Sequence, residues 1–183
     1  MKVFIPVIAA STLLASTVSG WSAEPATGTL EVTITIGEQC KVNPGGNASL
    51  DFGKYGSLDR DIDKATVKEG IGSIQVQCTK DIPYTIALDA GKHSIFGDNV
   101  NDRHMLLVST DNPGEEIKYN LFSDEAHTRV WGNTPSSNGN SGDVVSAKAT
   151  GDVQSHQVFG RVEGRSNLMP GVYKDTVTAS VSF

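Results

Sequence analysis

Beyond its N-terminal residues, the sequence has no long apolar run, and it also lacks an amphipathic helical pattern. After residue 23, no stretch reaches the roughly 18 apolar residues that a membrane-spanning helix needs. No stretch there carries an apolar stripe of 3.6-residue period over three turns, so a helical bundle is not expected. The classes that remain are built from strands.

Basic residues are outnumbered by acidic ones. The chain has 15 Lys and Arg against 21 Asp and Glu, which gives a net charge of −6 at pH 7. An acidic surface repels phosphate backbones, so we expect no nucleic-acid partner. The length of 183 residues is enough for one hydrophobic core, and we expect a single domain after a targeting segment.

Residue patterns that hold metals or cofactors are also missing. The four histidines lie in four separate segments, without the i, i+2 or i+4 spacing that places two ligands on one face. They are His93, His104, His127 and His156. Neither a Walker loop nor the glycine motif of dinucleotide-binding proteins occurs. We therefore expect no metal site and no cofactor.

The acidic run DRDIDK is the strongest candidate for a cation site. Its Asp59, Asp61 and Asp63 alternate as at the start of a calcium-binding loop. The EF-hand pattern then requires Gly at position 64 and Glu at position 70, where this chain has Lys64 and Gly70. A solvated acidic loop is the favoured interpretation.

A catalytic serine is indicated only weakly. Ser141 lies in GNSG (139–142), which resembles the nucleophile loop of serine proteases, but it stands in a run of small polar residues typical of a turn. A triad assembled in space from distant residues stays open at this stage, because triads are defined by geometry. We favour a turn and predict that the protein is not an enzyme.

Cysteine is scarce, since Cys40 and Cys78 are the only two. A metal or redox pair would need CxxC-type spacing or nearby histidines, and neither is present. In an exported chain, a single pair allows one connectivity and predicts a structural disulfide. We therefore predict a bond between Cys40 and Cys78.

The first 20 or so residues have the pattern of a secretory signal. Lys2 is the only charge before Glu24, and residues 3–18 are mostly apolar but too short and broken for a membrane span. We predict a signal peptide over residues 1–23, with cleavage between residues 20 and 26. The exported chain would carry a net charge of −7, because Lys2 is the only Lys or Arg in that segment.

Short alternating apolar runs recur through the rest of the chain, with Gly, Asn, Asp, Ser and Pro clusters between them. The runs are SIQVQCT (73–79), YTIAL (84–88), MLLV (105–108), IKYNL (117–121), VFGRV (158–162) and GVYKDTVTASVSF (171–183). Many short strands separated by turns predict an all-β sandwich. In VFGRV, Gly160 suggests a bulge or a close approach of another backbone.

Aromatic and arginine side chains lie in or beside these runs. Core packing is favoured over a carbohydrate-stacking site for the aromatic residues Tyr84, Tyr119, Phe122, Trp131 and Phe159. Arg103 and Arg161 lie beside apolar runs, and their pairing with a carboxylate such as Asp124 stays open.

The N-terminal stretch GTLEVTITI (28–36) alternates strictly. Its apolar positions, which predict one buried face of a strand, are Leu30, Val32, Ile34 and Ile36. Two interpretations stay open: an ordinary first strand paired within its own chain, or a strand that fills the core of another chain.

The C-terminal run alternates as well, and no charge, Pro or covering loop follows Asp175 to protect its edge. The face that we predict to point inward is formed by Val177, Ala179, Val181 and Phe183. Such an unprotected edge strand predicts a neighbouring strand from another chain.

An ordered set of motifs carries a resemblance to a known family. The set comprises GTLEVTITIGEQC (28–40), IQVQCT (74–79), YTIALDAG (84–91), Arg103-x-Met105, YNLFSDEAHTRVWG (119–132), VFGRV and GVYKDTVTASVSF. It resembles the pilins of archaic chaperone–usher pili, in the spore coat U domain family. Gly-x-Tyr-x-Asp-Thr is the most specific element, and the chain departs from the pattern at FSD (122–124) and in the long loop 133–152.

The resemblance implies an immunoglobulin-like β-sandwich that lacks its last strand, with residues 40–183 as the spore coat U or pilin domain and 24–39 as an N-terminal donor extension. It implies an acceptor groove beside Val177, Ala179, Val181 and Phe183, which a periplasmic chaperone fills first. The donor residues of the next copy then replace the chaperone, at an outer-membrane usher.

The function implied is that of a structural subunit of a surface pilus or fimbria, which grows head to tail and supports adhesion or biofilm formation. Two alternatives stay open. One is a secreted coat or matrix protein of the same domain family, and the other is a minor or tip-associated adhesive subunit.

Overall fold

A computed structural model describes residues 29–43, 45–95, 97–108, 114–134 and 143–183. It divides into two compact units, with the boundary between Thr35 and Ile36. The predicted signal peptide and the GNSG stretch lie outside the described residues.

The described residues form eleven strands and no helix. The strands are β1 (Cys40–Val42), β2 (Ile62–Ala65), β3 (Ile74–Cys78), β4 (Pro83–Leu88), β5 (Arg103–Leu107), β6 (Glu116–Phe122), β7 (Val145–Lys148), β8 (Gln154–His156), β9 (Phe159–Val162), β10 (Tyr173–Lys174) and β11 (Ala179–Ser182). The predicted all-β fold is confirmed. Within the described ranges, no helix is long and apolar enough to cross a membrane.

The strands of the second unit form three antiparallel sheets. Their orders are β1-β3-β8, β10-β5-β6-β9-β2 and β11-β4-β7. The alternating runs put one face of each main strand inward, so that buried side chains of β3, β4, β6 and β9 share one core. The fold is thus a sandwich of sheets around a single core.

Three of the five aromatic residues, Tyr84, Tyr119 and Trp131, belong to this core, as predicted. Tyr84, Tyr119, Phe122 and Trp131 are buried, and Phe159 is half-buried. The indole N–H of Trp131 donates to the carbonyl of Ile86 at 2.9 Å, so its one polar group is satisfied inside the core.

The predicted disulfide is confirmed. Cys40 and Cys78 are bonded, and they lie directly opposite each other in the antiparallel pair of β1 and β3. The bond therefore fixes the chain at the point where the N-terminal segment joins the first sheet.

The acidic run is a loop only in part: Asp59 and Asp61 lie outside the strands, as the favoured interpretation expects, whereas its last three residues do not. Ile62 to Lys64 belong to β2, an edge strand that pairs with β9. Asp63 faces Arg161 across the pair, and the guanidinium donates to its carboxylate at 2.7 and 2.8 Å. This pairing lowers the pKa of Asp63 through the hydrogen bond from Arg161. Asp63 thus lies on an exposed edge strand, which Asp59 and Asp61 precede.

Candidate functional site

An open groove runs between two extended segments of the second unit, residues 47–52 and residues 172–179. Its volume is about 850 Å³. The side chains beneath it are almost all apolar and come from the core faces of four strands and a loop, namely Ile74, Leu88, Met105, Tyr119, Leu121 and Val158. Five of these six side chains are buried and Met105 is half-buried, so the groove exposes a narrow apolar line between two extended backbones.

Both rims of the groove have strand-like alternation. On one rim, Ala48, Leu50 and Phe52 are half-buried, whereas the residues between them are exposed. Gly160 of β9 permits this packing, because a Cβ there would overlap Leu50 and approach Phe52 within 2.9 Å. Side chains, and not the other backbone that the sequence suggested, make the close approach at Gly160.

The second rim is formed by residues 172–179, which include β10, the connection 175–178 and the first residue of β11. Tyr173, Val177 and Ala179 are half-buried and pack against the core. β11 has one sheet neighbour, β4, and lies at the edge of its sheet. Its other edge carries no strand pairing in the described residues, although β1 contacts β11.

The rim continues the β4–β11 pairing beyond the ends of those strands. Asp89 donates its N–H to the carbonyl of Thr178, and Lys92 donates its N–H to the carbonyl of Thr176, both at 3.1 Å. Thr178 returns a hydrogen bond from its N–H to Asp89 Oδ1 at 2.9 Å. The loop 88–92 therefore supports this rim along one side.

A fully buried arginine supports that loop in turn. The guanidinium of Arg103 donates to the carbonyls of Asp89 at 2.6 Å, Trp131 at 2.9 Å and Leu88 at 3.2 Å. Burial lowers the pKa of Arg103 to about 10. Arg103 still carries its charge at neutral pH, and it stabilises three carbonyls that the strand ends leave unpaired.

A buried carboxylate lies on the rim itself. Asp175 Oδ2 accepts a hydrogen bond from the hydroxyl of Tyr119 at 2.6 Å, and Oδ1 accepts one from the N–H of Lys92 at 3.1 Å. His93 Nδ1 lies 2.8 Å from Oδ1, but the ring is not aligned for a hydrogen bond. Burial, together with the hydrogen bond and charge of Asp175, raises the pKa of the Tyr119 hydroxyl.

The N-terminal segment contrasts with the groove. The predicted donor residues Leu30, Val32, Ile34 and Ile36 are between 72% and 87% exposed. Residues 29–39 belong to no strand. In the described residues 29–36 the structure therefore has no strand of the kind that the own-chain interpretation of GTLEVTITI predicts.

The base of this segment is fixed within the second unit. Thr79 donates its N–H to the carbonyl of Gln39 at 2.9 Å, and its hydroxyl donates to the carbonyl of Gly37 at 3.1 Å. Gln39 donates its N–H to Thr79 Oγ1 at 3.2 Å. Together with the disulfide beside it, this anchors the segment from Gly37 onward.

The C-terminal residues follow the prediction in part. Val177 and Ala179 line the groove, and Val181 packs against the core further along β11. Phe183 does not point inward as predicted, because the pairing with β4 ends at Ser182 and the Phe183 side chain is 58% exposed.

The remaining candidates do not form a chemical site. His156 Nε2 lies 2.9 Å from the hydroxyl of Tyr84 in a contact between two sheets, where burial lowers the pKa of His156. Asp124 closes its own turn by accepting hydrogen bonds from Thr128 and Arg129, and does not pair with Arg103. In the part of the chain that the structure describes, no group of three or more His, Cys, Asp or Glu could hold a metal ion.

Comparison with known proteins identifies the family. The model of the Spore Coat Protein U domain matches residues 26–180. Protein U of Myxococcus xanthus is 33% identical over 182 residues, which cover 96% of each chain.

Among solved structures, the chain is similar to the CsuC–CsuE chaperone–tip adhesion subunit pre-assembly complex from archaic chaperone–usher Csu pili of Acinetobacter baumannii. The identity is 18% and the TM-score 0.47, over 81% of this chain and 40% of that one. The family match and the near full-length relative lead to one conclusion: the chain belongs to the spore coat protein U domain family, and it is a structural protein and not an enzyme.

Proposed function

We propose that this protein is a subunit of a surface pilus, and that its copies join by donating the GTLEVTITI segment to the groove of a neighbouring copy. The observation that carries the proposal is a complementary pair of features in one chain. One is an open groove of about 850 Å³ with an apolar floor. The other is an exposed segment in which four apolar side chains alternate with polar ones.

The energetics favour such an exchange. Burying Leu30, Val32, Ile34 and Ile36 is worth roughly 1.5–3 kcal/mol for each side chain, or about 6–12 kcal/mol before the cost of ordering the segment. Main-chain hydrogen bonds to the free edge of β11 add to this, as in other cases of β-strand addition. Insertion within a single chain would close the subunit on itself, whereas insertion into the next copy exposes a new groove.

The interface is head to tail, because the segment and the groove are different surfaces. Such heterologous contacts propagate as an open fibre when the rotation between copies does not close a ring. In this account residues 24–39 are the donor extension, residues 40–183 are the pilin domain, and residues 1–23 direct export.

An exposed apolar groove needs cover before assembly, since it would otherwise aggregate. We propose that a periplasmic chaperone covers the groove with one of its own strands, which lies against Val177 and Ala179. An outer-membrane usher then receives the complex of chaperone and subunit. The fibre that forms at the cell surface supports adhesion or biofilm formation. The solved complex of a chaperone with a tip adhesion subunit, to which this chain is similar, is the kind of assembly meant.

A secreted coat protein is the second candidate. It is favoured by the near full-length identity to Protein U of Myxococcus xanthus. A coat protein of this kind would assemble without an usher, so deletion of the usher gene separates the two. Loss of surface fibres on deletion supports the pilus, and unchanged surface assembly supports the coat.

The proposal is tested by deleting residues 29–36 from the secreted chain. The full chain is expected to form oligomers that resist SDS at room temperature and dissociate on boiling, because the inserted strand is fully paired. The deletion variant is expected to run only as a monomer while still binding the chaperone. A ladder of equal intensity from the deletion variant would contradict the proposal.

A further inference from the structure

The position of the rim formed by residues 172–179 has to be fixed even when the groove is empty. A strand inserted between two others needs them two strand spacings apart, which is about 9.5 Å. In a copy whose groove is empty, no strand sets that distance. The position of the rim must then be set by contacts on its other side.

Main-chain hydrogen bonds hold the rim through the pairing of β10 with β5 and through the bonds from the loop 88–92, and the side-chain contacts converge on Asp175. Its side chain is 2% exposed, and both oxygens are engaged, one by the Tyr119 hydroxyl and the other by the Lys92 N–H. A buried carboxylate without such partners would carry a large desolvation cost. Because the two donors belong to β6 and to the loop 88–92, the carboxylate ties the rim to two separate elements.

The loop is built to receive this carboxylate. Gly91 has a φ of +79°, and a Cβ at this position would overlap Asp175 Oδ2. Asp89, two residues earlier, accepts the Arg103 guanidinium on its carbonyl and the Thr178 N–H on its carboxylate. A continuous set of hydrogen bonds thus runs from β5 through the loop to the rim.

We propose that Asp175 and the Tyr119 hydroxyl are positioning residues for strand uptake, which hold the rim at the separation that an incoming strand requires. The inference rests on the proposed function. Without the Tyr119 hydroxyl, the carboxylate loses its shortest hydrogen bond, the rim relaxes toward the empty groove, and an incoming strand must first reopen it.

The matched control is Tyr84. Tyr84 and Tyr119 are both buried core tyrosines whose hydroxyls contact one partner, His156 at 2.9 Å for Tyr84 and Asp175 at 2.6 Å for Tyr119. Tyr84 does not line the groove. Tyr119→Phe and Tyr84→Phe each remove one oxygen from a buried ring, so they separate an effect on the rim from a general effect on the core.

The experiment measures uptake of a fluorescent peptide with the sequence of residues 28–38 by the full chain, diluted enough to suppress self-assembly. Thermal unfolding of each variant is recorded alongside. We expect Tyr119→Phe to slow uptake about tenfold, the scale of one charge-assisted hydrogen bond, and Tyr84→Phe to change it less than twofold. Asp175→Ala is expected to slow uptake as well, and adding Tyr119→Phe to it should have little further effect, because the bond that Tyr119→Phe removes is then already absent.

The possible results separate a failure of the proposed function from a failure of the inference about Asp175 and Tyr119. Failure of the wild-type chain to take up the peptide would overturn the proposed function, and the inference with it. Uptake by the wild type with equal slowing in the two Tyr variants, or with none in Tyr119→Phe, would overturn the inference alone. Additive effects of Asp175→Ala and Tyr119→Phe would show that the two residues act separately and would also contradict it.

Discussion

Replacing Ile34 with Asp is expected to abolish assembly of the fibre. In the proposed donor strand, Ile34 enters the apolar groove of the next copy, where a carboxylate would be buried without a partner at a cost of several kcal/mol. That cost removes most of the roughly 6–12 kcal/mol that the four apolar side chains provide. The measurement is the yield of SDS-resistant oligomers from the secreted chain.

Thr33→Asp is the matched control. Thr33 neighbours Ile34 in the same exposed segment, but alternation turns it to the opposite face, where a carboxylate stays in water. It should assemble nearly as well as the wild type. Both variants should still give the soluble chaperone complex, because Ile34 is 84% exposed and contributes nothing to the core of its own subunit. Loss of the chaperone complex for Ile34→Asp alone would contradict the account.

Removal of the disulfide is expected to have the second-largest effect. Cys40 and Cys78 are separated by 38 residues, and closing a loop of that length restricts the unfolded chain by about 4 kcal/mol in the chain-entropy model. The double variant Cys40→Ala, Cys78→Ala should lose about that much free energy of unfolding. For a domain of this size the midpoint of thermal unfolding should fall by roughly 8–16 °C.

Reductant provides the control for this experiment. It should lower the midpoint of the wild type to that of the double variant and leave the variant unchanged. The bond also anchors the base of the donor segment beside Thr79, so the yield of secreted subunit should fall with stability. A double variant as stable as the oxidised wild type would contradict this prediction.

The strands that the sequence predicted share a simple physical property. β3, β4 and β6 each bury one side against the common core, so burial imposes an alternation that is visible in the sequence. The disulfide was predictable for a different reason, since two cysteines in an exported chain allow one pairing.

The strands that the sequence missed are short and lie where burial is weak. β2 is an edge strand in which Asp63 and Lys64 remain exposed, and β7 and β8 are three or four residues long with few buried side chains. Their identity as strands comes from pairing with distant partners. Because two of its four residues are charged, β2 has an amino-acid composition that is typical of a loop.

The support of the groove was also beyond the sequence. Arg103 is buried because it meets carbonyls of Leu88, Asp89 and Trp131, which lie up to 28 residues away. Backbone carbonyls have no signature in the side-chain pattern, so a carboxylate partner was the natural expectation. Only the motifs Arg103-x-Met105 and Gly-x-Tyr-x-Asp-Thr marked Arg103 and Asp175 as positions of interest.

The most direct test of the central claim is amide hydrogen exchange of residues 29–36 in the chaperone-bound subunit and in the assembled fibre. The account predicts fast exchange in the subunit, where the segment belongs to no strand. In the fibre it predicts exchange slower by on the order of 10⁴-fold or more, which corresponds to the lower estimate of the insertion energy. Residues 172–179 should become protected together with them. Protection of residues 29–36 in the subunit before assembly, or fast exchange of these residues in the fibre, would contradict the donor-strand account.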